Sequence, residues 1–427
     1  MHSPDNNSYD LAVIGTGMAG TAAAVFAANR GLATAQVGQA GEIIFASGYL
    51  DLLGVYPQAE KNILKDPWAG MERLAGDHPE HPLARVAPEK IRLALDEFLA
   101  FLEAGGLPFC REGEENSTVL TPLGTTKPTY CVPQTMWAGT AALREKKHCL
   151  LVDIRGLRGF SARQIAAVWS QNWPQLRTVT VHFPDSEHLS ELYAETMARQ
   201  LELPRYLDRL AERIKPHVKN ARVVGLPAIL GCKKSTDVFA NLEEILGVSI
   251  FEIPTMPPGI SGLRLREVFG ARIPQLGVRL FREQRVLAVY PEKSGFFTLT
   301  IDSAAGEETI RAARIILAGG RFLGKGLLAA ADGIREPLFD LPVYQPRSRS
   351  RWHRRYFLDP RGHRINRAGL ETDKAFRPLD GKGRPVFENL FAVGSILAHQ
   401  DWMRQKCGSG LAIATAYAAV EAIVAGQ

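Results

Sequence analysis

The chain has 427 residues, 46% hydrophobic and 22% charged, with 51 Lys and Arg against 45 Asp and Glu. Two or three domains with buried cores fit in that length, and no apolar run approaches the roughly 18–20 residues of a membrane span. The polar first ten residues lack the apolar centre of a signal peptide. Five cysteines (Cys110, Cys131, Cys149, Cys232, Cys407) form no CxxC pair and no metal-ligand spacing, which argues against disulfides, a metal site or an iron–sulfur cluster and for a reducing cytoplasm.

Residues 9–37 read as strand, tight turn, helix and strand. The helix carries small residues on nearly every face and stops at Gly31, before a short strand over Ala33 to Val37. An amphipathic helix is predicted over 88–104: Pro88 suits its first turn, and Ile91, Leu95, Phe98, Leu99 and Leu102 recur at helical spacing. From about 161 to 250 the pattern is largely helical, interrupted by a strand and glycine turn over Ala221 to Gly231. Strands return at Gly277–Tyr290 and Phe296–Ile301 as an antiparallel pair, then at Arg314–Gly320, which ends in Gly319 and Gly320. Residues 390–394 form the last strand and 409–425 the last helix. Basic residues crowd the stretch from Arg347 to Arg367, which points to a solvated basic face, an anionic ligand or an acidic partner; no module for nucleic acid surrounds it.

Two glycine-rich turns carry the chemistry. Gly15-Thr-Gly17-Met18-Ala19-Gly20 follows a strand and opens a helix. Gly15 and Gly17 allow a tight turn and close backbone approach, and Gly20 lets the helix lie on the strand. The free amides at the helix start then hold a pyrophosphate. The acidic residue expected about 20 positions on to bind a ribose is absent; Gln39 stands there instead, which leaves FAD and the shorter FMN both open. Ser47 and Gly48 lie where an extended loop would reach a flavin ring. At the other end, Gly394 closes a strand and Gly408-Ser409-Gly410 opens a helix aimed at a ring that gains negative charge on reduction; plain capping by Ser409 is the alternative. The loop between them offers His399 as a general base. Arg264, early in a helix after the proline-rich segment Pro254 to Gly259, suits phosphate recognition, as does Lys406.

Ser47-Gly-Tyr-Leu-Asp-Leu-Leu53, Gly225-Leu-Pro-Ala-Ile-Leu-Gly231, Phe251-Glu-Ile-Pro-Thr-Met-Pro-Pro258 with Gly262-Leu-Arg-Leu265, Gly369-Leu-Glu-Thr-Asp373 with Arg377-Pro378, and the closing Asn389–Gly394 and Cys407–Gly410 are spread over the whole chain. Together they resemble the B subunit of the anaerobic glycerol-3-phosphate dehydrogenases. The resemblance implies a flavin-binding subunit, described for the family with FMN. It implies work with a larger FAD-containing subunit and a membrane-associated iron–sulfur subunit, oxidising sn-glycerol 3-phosphate to dihydroxyacetone phosphate and passing electrons to quinone. The segment 347–367 is more arginine-rich than the resemblance leads one to expect.

The expectation is an α/β protein with a Rossmann-like, three-layer flavin-binding fold built from both termini (residues 1–150 and 277–427) and a mostly helical cap over 151–276. Its flavin, FAD or FMN, is held non-covalently by Gly15, Gly17, Met18, Ala19, Gly20, Gln39, Ser47, Gly48, Gly319, Gly394, Gly408, Ser409 and Gly410, and its chemistry is carried by His399, Arg264 and Lys406. The rival readings are a flavin electron relay or assembly subunit, and a stand-alone flavin oxidoreductase acting on another anion.

Overall fold

The computed structural model describes residues 7–39, 43–303 and 306–426. In chain order its main elements begin with β1 (Ser8–Ile14), α1 (Met18–Asn29), β2 (Thr34–Gly38), α2 (Pro88–Ala104) and α3 (Gln134–Glu145). Then come β3 (Cys149–Ile154), α4 (Ala162–Trp169), β4 (Leu176–Val181), α5 (Pro204–Val218), β5 (Val223–Pro227), α6 (Ser235–Leu246), β6 (Ser249–Ile253) and α7 (Ile260–Gln275). The chain closes with β7 (Arg279–Arg282), β8 (Arg285–Pro291), β9 (Phe297–Ser303), β10 (Gly306–Leu317), β11 (Leu390–Ala392), α8 (Trp402–Gln405) and α9 (Gly408–Ala425). They fall into two compact units, one of residues 1–42, 51–101 and 269–427, the other of 43–50 and 102–268.

The first unit is built on a sheet of order β7-β2-β1-β10-β9-β8, with β11 also on β10. Strands β7, β2, β1, β10 and β11 run parallel. β10 serves three partners: its first half forms a hairpin with β9, and its second half lies between β1 and β11. Being covered on both faces, β1 reads Leu11-Ala-Val-Ile14 without alternation, and all four residues are buried. α1 packs with α9, and both are buried on nearly every side because alanines let backbones approach. Phe26 meets the Tyr417 ring edge-on at 5.2 Å, and Arg30 bonds Glu421 at 2.6 Å. α9 is long and apolar enough by composition to cross a bilayer; its buried Leu411, Ile413, Ala416 and Val420 make it a core helix of this unit.

The second unit holds a parallel sheet of order β6-β5-β3-β4, where a mostly helical region was expected. Its strands alternate with helices, so each crossover is long enough to join parallel neighbours. Phe251 on β6 fills the middle of this core: a Cβ on Gly225 would fall 2.7 Å from its ring and one on Gly139 of α3 2.6 Å away. Gly225 is therefore a packing glycine rather than a turn residue. The units part at 42/43, 50/51, 101/102 and 268/269 rather than at 150/151 and 276/277. Residues 43–50 and 102–148 lie with the inserted unit because they pack there: Leu50 pairs with Cys131, and Gly262 has room for nothing but the carbonyls of Ile43 and Ile44, 2.5 Å from a Cβ placed on it.

Candidate active site

The N-terminal turn separates its glycines by what each one touches. Gly15 has φ +133°, and a Cβ there would lie 2.2 Å from the Ala318 carbonyl oxygen. A Cβ on Gly20 would lie 2.0 Å from the Gly15 carbonyl oxygen, so both are demanded by the chain's own packing. Gly17 is not: it caps α1 with φ −78°, and a Cβ there would meet nothing within 4 Å. Space is kept at this glycine alone of the three, in front of a helix with no side-chain cap, and Thr16 Oγ1 beside it is buried without a partner among the described residues. Met18 and Ala19 open the helix, and Gly319 follows β10 directly against Gly15, its amide 3.1 Å from the Gly15 Cβ position.

The C-terminal elements close on the same turn. Gly394, at φ +76°, donates its N–H to Thr415 Oγ1 at 2.9 Å. A Cβ on Gly394 would come within 2.6 Å of Ala19 Cβ, so the end of the last strand touches the start of α1. The start of α9 is fastened to residue 51: Gly410 N–H donates to the Asp51 carbonyl at 2.6 Å, and Ser409 Oγ accepts from Asp51 N–H at 3.0 Å. Ser409 therefore does not cap its own helix. A Cβ on Gly410 would fall 2.8 Å from Leu52 Cα, and one on Gly408 3.0 Å from the Trp402 ring.

Between Gly394 and Gly408 the loop displays His399 in a left-handed conformation, φ +66°, an uncommon state for a residue with a side chain. Its Nε2 lies 2.7 Å from Glu371 Oε1, its ring rests on Tyr344 with centroids 4.3 Å apart, and its N–H donates to the Arg367 carbonyl. A carboxylate on Nε2 leaves Nδ1 as the nitrogen available to a ligand. Lys406 is half-buried and left-handed at the end of α8. Beneath the loop, Gln405 Oε1 receives the Asp401 N–H at 2.8 Å and faces His81 Nε2 at 3.2 Å. His81 Nδ1 accepts from Leu83 N–H, so the ring's proton is on Nε2 and the ring is neutral. Burial pushes its pKa down to about 4.

A family model described as FAD binding domain matches residues 10–411. The chain is 31% identical over 426 residues to the B subunit of the anaerobic glycerol-3-phosphate dehydrogenase of Vibrio vulnificus (strain CMCP6), covering 97% of this chain and 96% of that one. The chain belongs to that family. It is 29% identical, over 97% of its length, to the protein of the same name from Yersinia pestis bv. Antiqua (strain Antiqua), of which 98% is covered. The crystal structure of 3-ketosteroid delta1-dehydrogenase from Sterolibacterium denitrificans matches 99% of this chain and 100% of that one at 11% identity and a TM-score of 0.43, too slight a likeness to carry the assignment. The protein is a flavin-dependent oxidoreductase with an α/β flavin-binding fold. The open face at Gly17 and the orphaned Thr16 hydroxyl fit a phosphate-bearing cofactor there.

Arg264 corrects the sequence reading. It is 2% exposed, and all five of its N–H donors are spent inside the inserted unit. Nε donates to the Gly231 carbonyl, one terminal nitrogen to Glu252 Oε2 at 2.5 Å and to Thr135 Oγ1, the other to Glu252 Oε1 at 2.9 Å and to the Leu230 carbonyl. No donor is left for a substrate phosphate. Ser47 and Gly48 also belong to the inserted unit, where a Cβ on Gly48 (φ +87°) would lie 2.7 Å from Ser261 Cβ. Gln39 is exposed just past β2, with no hydrogen bond among the described residues. The sequence reading missed Glu371 as the partner of His399, although it stands within the Gly369–Asp373 motif. His81, 324 positions from Gln405, left no signal.

Proposed function

We propose that the chain is the flavin subunit of an anaerobic, quinone-linked sn-glycerol-3-phosphate dehydrogenase that forms dihydroxyacetone phosphate. In this reading it works at the cytoplasmic side of the membrane with a larger FAD-containing subunit and a membrane-associated iron–sulfur subunit. The observation that carries it is the pairing of His399, on the loop joining Gly394 to Gly408, with Glu371. A bound flavin, FAD or FMN, supplies the acceptor for two electrons. Gly15, Gly17 and the first amides of α1 would hold its phosphates, and the turn after β11 and the start of α9 would hold its ring. His399 takes the hydroxyl proton of the secondary alcohol at Nδ1 as the carbon is oxidised, and Glu371 steadies the imidazolium that results. Lys406 provides the cation for the substrate's phosphate.

The test is anaerobic addition of glycerol 3-phosphate to the purified, flavin-loaded chain. Bleaching of the flavin band is expected. Bleaching that appears only once the larger subunit is added assigns substrate oxidation to that subunit and leaves this one an electron relay.

A further inference from the structure

Apart from the Arg367 carbonyl that accepts the His399 N–H, the arginine-rich stretch takes no part in the site above, and its geometry is specific. From Arg347 to Arg367 the sequence holds eight arginines against a single carboxylate, Asp359. Asp359 is buried and spent inside the loop, accepting from Arg361 N–H, Nε and a terminal nitrogen at 3.0, 2.9 and 2.7 Å. His363 accepts the Arg354 N–H at Nδ1, so its Nε2–H donates to the Phe357 carbonyl at 3.0 Å. Arg354 Nε donates to the Gly362 carbonyl, and Arg321 grips the carbonyls of Ile365 and Asn366. With Trp352 buried at its root, the loop is held as a fixed projection.

At its tip stand Tyr356, Phe357 and Leu358, which are 66%, 85% and 81% exposed. Arg347, Arg351, Arg355 and Arg364 of the same loop are exposed, and none pairs with a carboxylate among the described residues. Three adjacent side chains supply far less area than the roughly 800 Å² per partner of a stable protein interface. They suffice for a shallow insertion among lipid headgroups when fixed positive charge adds to apolar burial. Aromatic rings suit that depth, and guanidinium groups match phosphate oxygens two at a time.

We infer that the 347–367 loop docks this chain directly on an anionic bilayer surface, with Phe357 and Leu358 inserted and Arg347, Arg351, Arg355 and Arg364 over lipid phosphates. Such contact is made by the chain itself and does not depend on the activity proposed above.

Sedimentation of the purified full chain with lipid vesicles tests it. The chain is expected to pellet with vesicles of phosphatidylcholine mixed with phosphatidylglycerol, to stay in solution with phosphatidylcholine alone, and to be released by salt. Replacing Arg351, Arg355 or Arg364 by Ser weakens partitioning about five-fold each. The F357S/L358S variant weakens it by about ten-fold or more. All these positions are exposed, so flavin content and circular dichroism stay as in the unsubstituted chain and separate lost docking from lost folding. No pelleting with the anionic vesicles, or equal pelleting by these variants, overturns the inference, and a protein partner then becomes the occupant of the tip.

Discussion

Two pairs of a nitrogen-bearing side chain with a glutamate, one in each unit, show how differently similar residues are used. Arg264 and Glu252 are sealed in the inserted unit, with every guanidinium N–H taken, two of them by carbonyls of the 230–231 turn. His399 and Glu371 share a single hydrogen bond in the first unit: the histidine side chain is 15% exposed, the glutamate 51%, and Nδ1 has no hydrogen bond among the described residues. Sequence alone placed both His399, as a base, and Arg264, as a phosphate-binding cation, at the site. What separates them is the number of donors left over once the fold has taken its share. A saturated pair fixes a turn, whereas an unsaturated one can exchange a proton.

The comparison can be broken first at its active member. His399→Ala is expected to lower the rate of flavin reduction by about 10²–10⁴-fold, with flavin content and melting temperature unchanged; a rate within error of the unsubstituted chain removes His399 as the base. Arg264→Ala should act on the fold instead. Leaving Glu252 charged, buried and alone costs about 3–5 kcal/mol, read as a lower denaturant midpoint. A stable variant with a raised KM for glycerol 3-phosphate would restore Arg264 to the site.

His81 gives the next effect, and it depends on pH. Its folded pKa of about 4 lies below the ordinary 6.5. The unfolded chain therefore binds the proton more readily between those values, and stability falls as the pH is lowered through that window. The loss approaches roughly 3 kcal/mol near pH 4, measured by urea unfolding, and His81→Gln should flatten that part of the profile. An identical profile in the variant would mean that other groups set it. Glu371→Gln is expected to have the smallest effect. It keeps a hydrogen-bond partner but loses the charge, at a cost of about 1.5–3 kcal/mol at most, seen as a fall in kcat of roughly 10–150-fold at most.

Much of this was legible in the sequence where local patterns coincide with tertiary roles. The strand–turn–helix over 9–29, the amphipathic helix of 88–104 and the closing strand and helix appear as read, whereas the stretch 277–290, read as one strand of an antiparallel pair, splits into β7, parallel to β2, and β8, antiparallel to β9. β4 escaped because Leu-Arg-Thr-Val-Thr-Val at a sheet edge is half-exposed and lacks a buried strand's unbroken apolar run. The placement of residues 43–50 with the inserted unit escaped for another reason: it follows from contacts with Cys131 and Gly262, far along the chain. Of the site, glycine spacing revealed the turn. It did not reveal that Gly15 and Gly20 answer to the protein's own backbone while Gly17 does not, since that distinction exists only once Ala318 and the Gly15 carbonyl are in place.

That same distinction gives the most direct test of the cofactor site formed where the chain's two ends meet. Flavin absorbance per folded chain should be measured for Gly17→Ala beside Gly20→Ala. Gly17→Ala is expected to fold within about 1 kcal/mol of the unsubstituted chain yet purify without flavin, while Gly20→Ala, with its methyl driven against the Gly15 carbonyl, fails to fold stably. A Gly17→Ala protein that keeps its full complement of flavin would contradict the account.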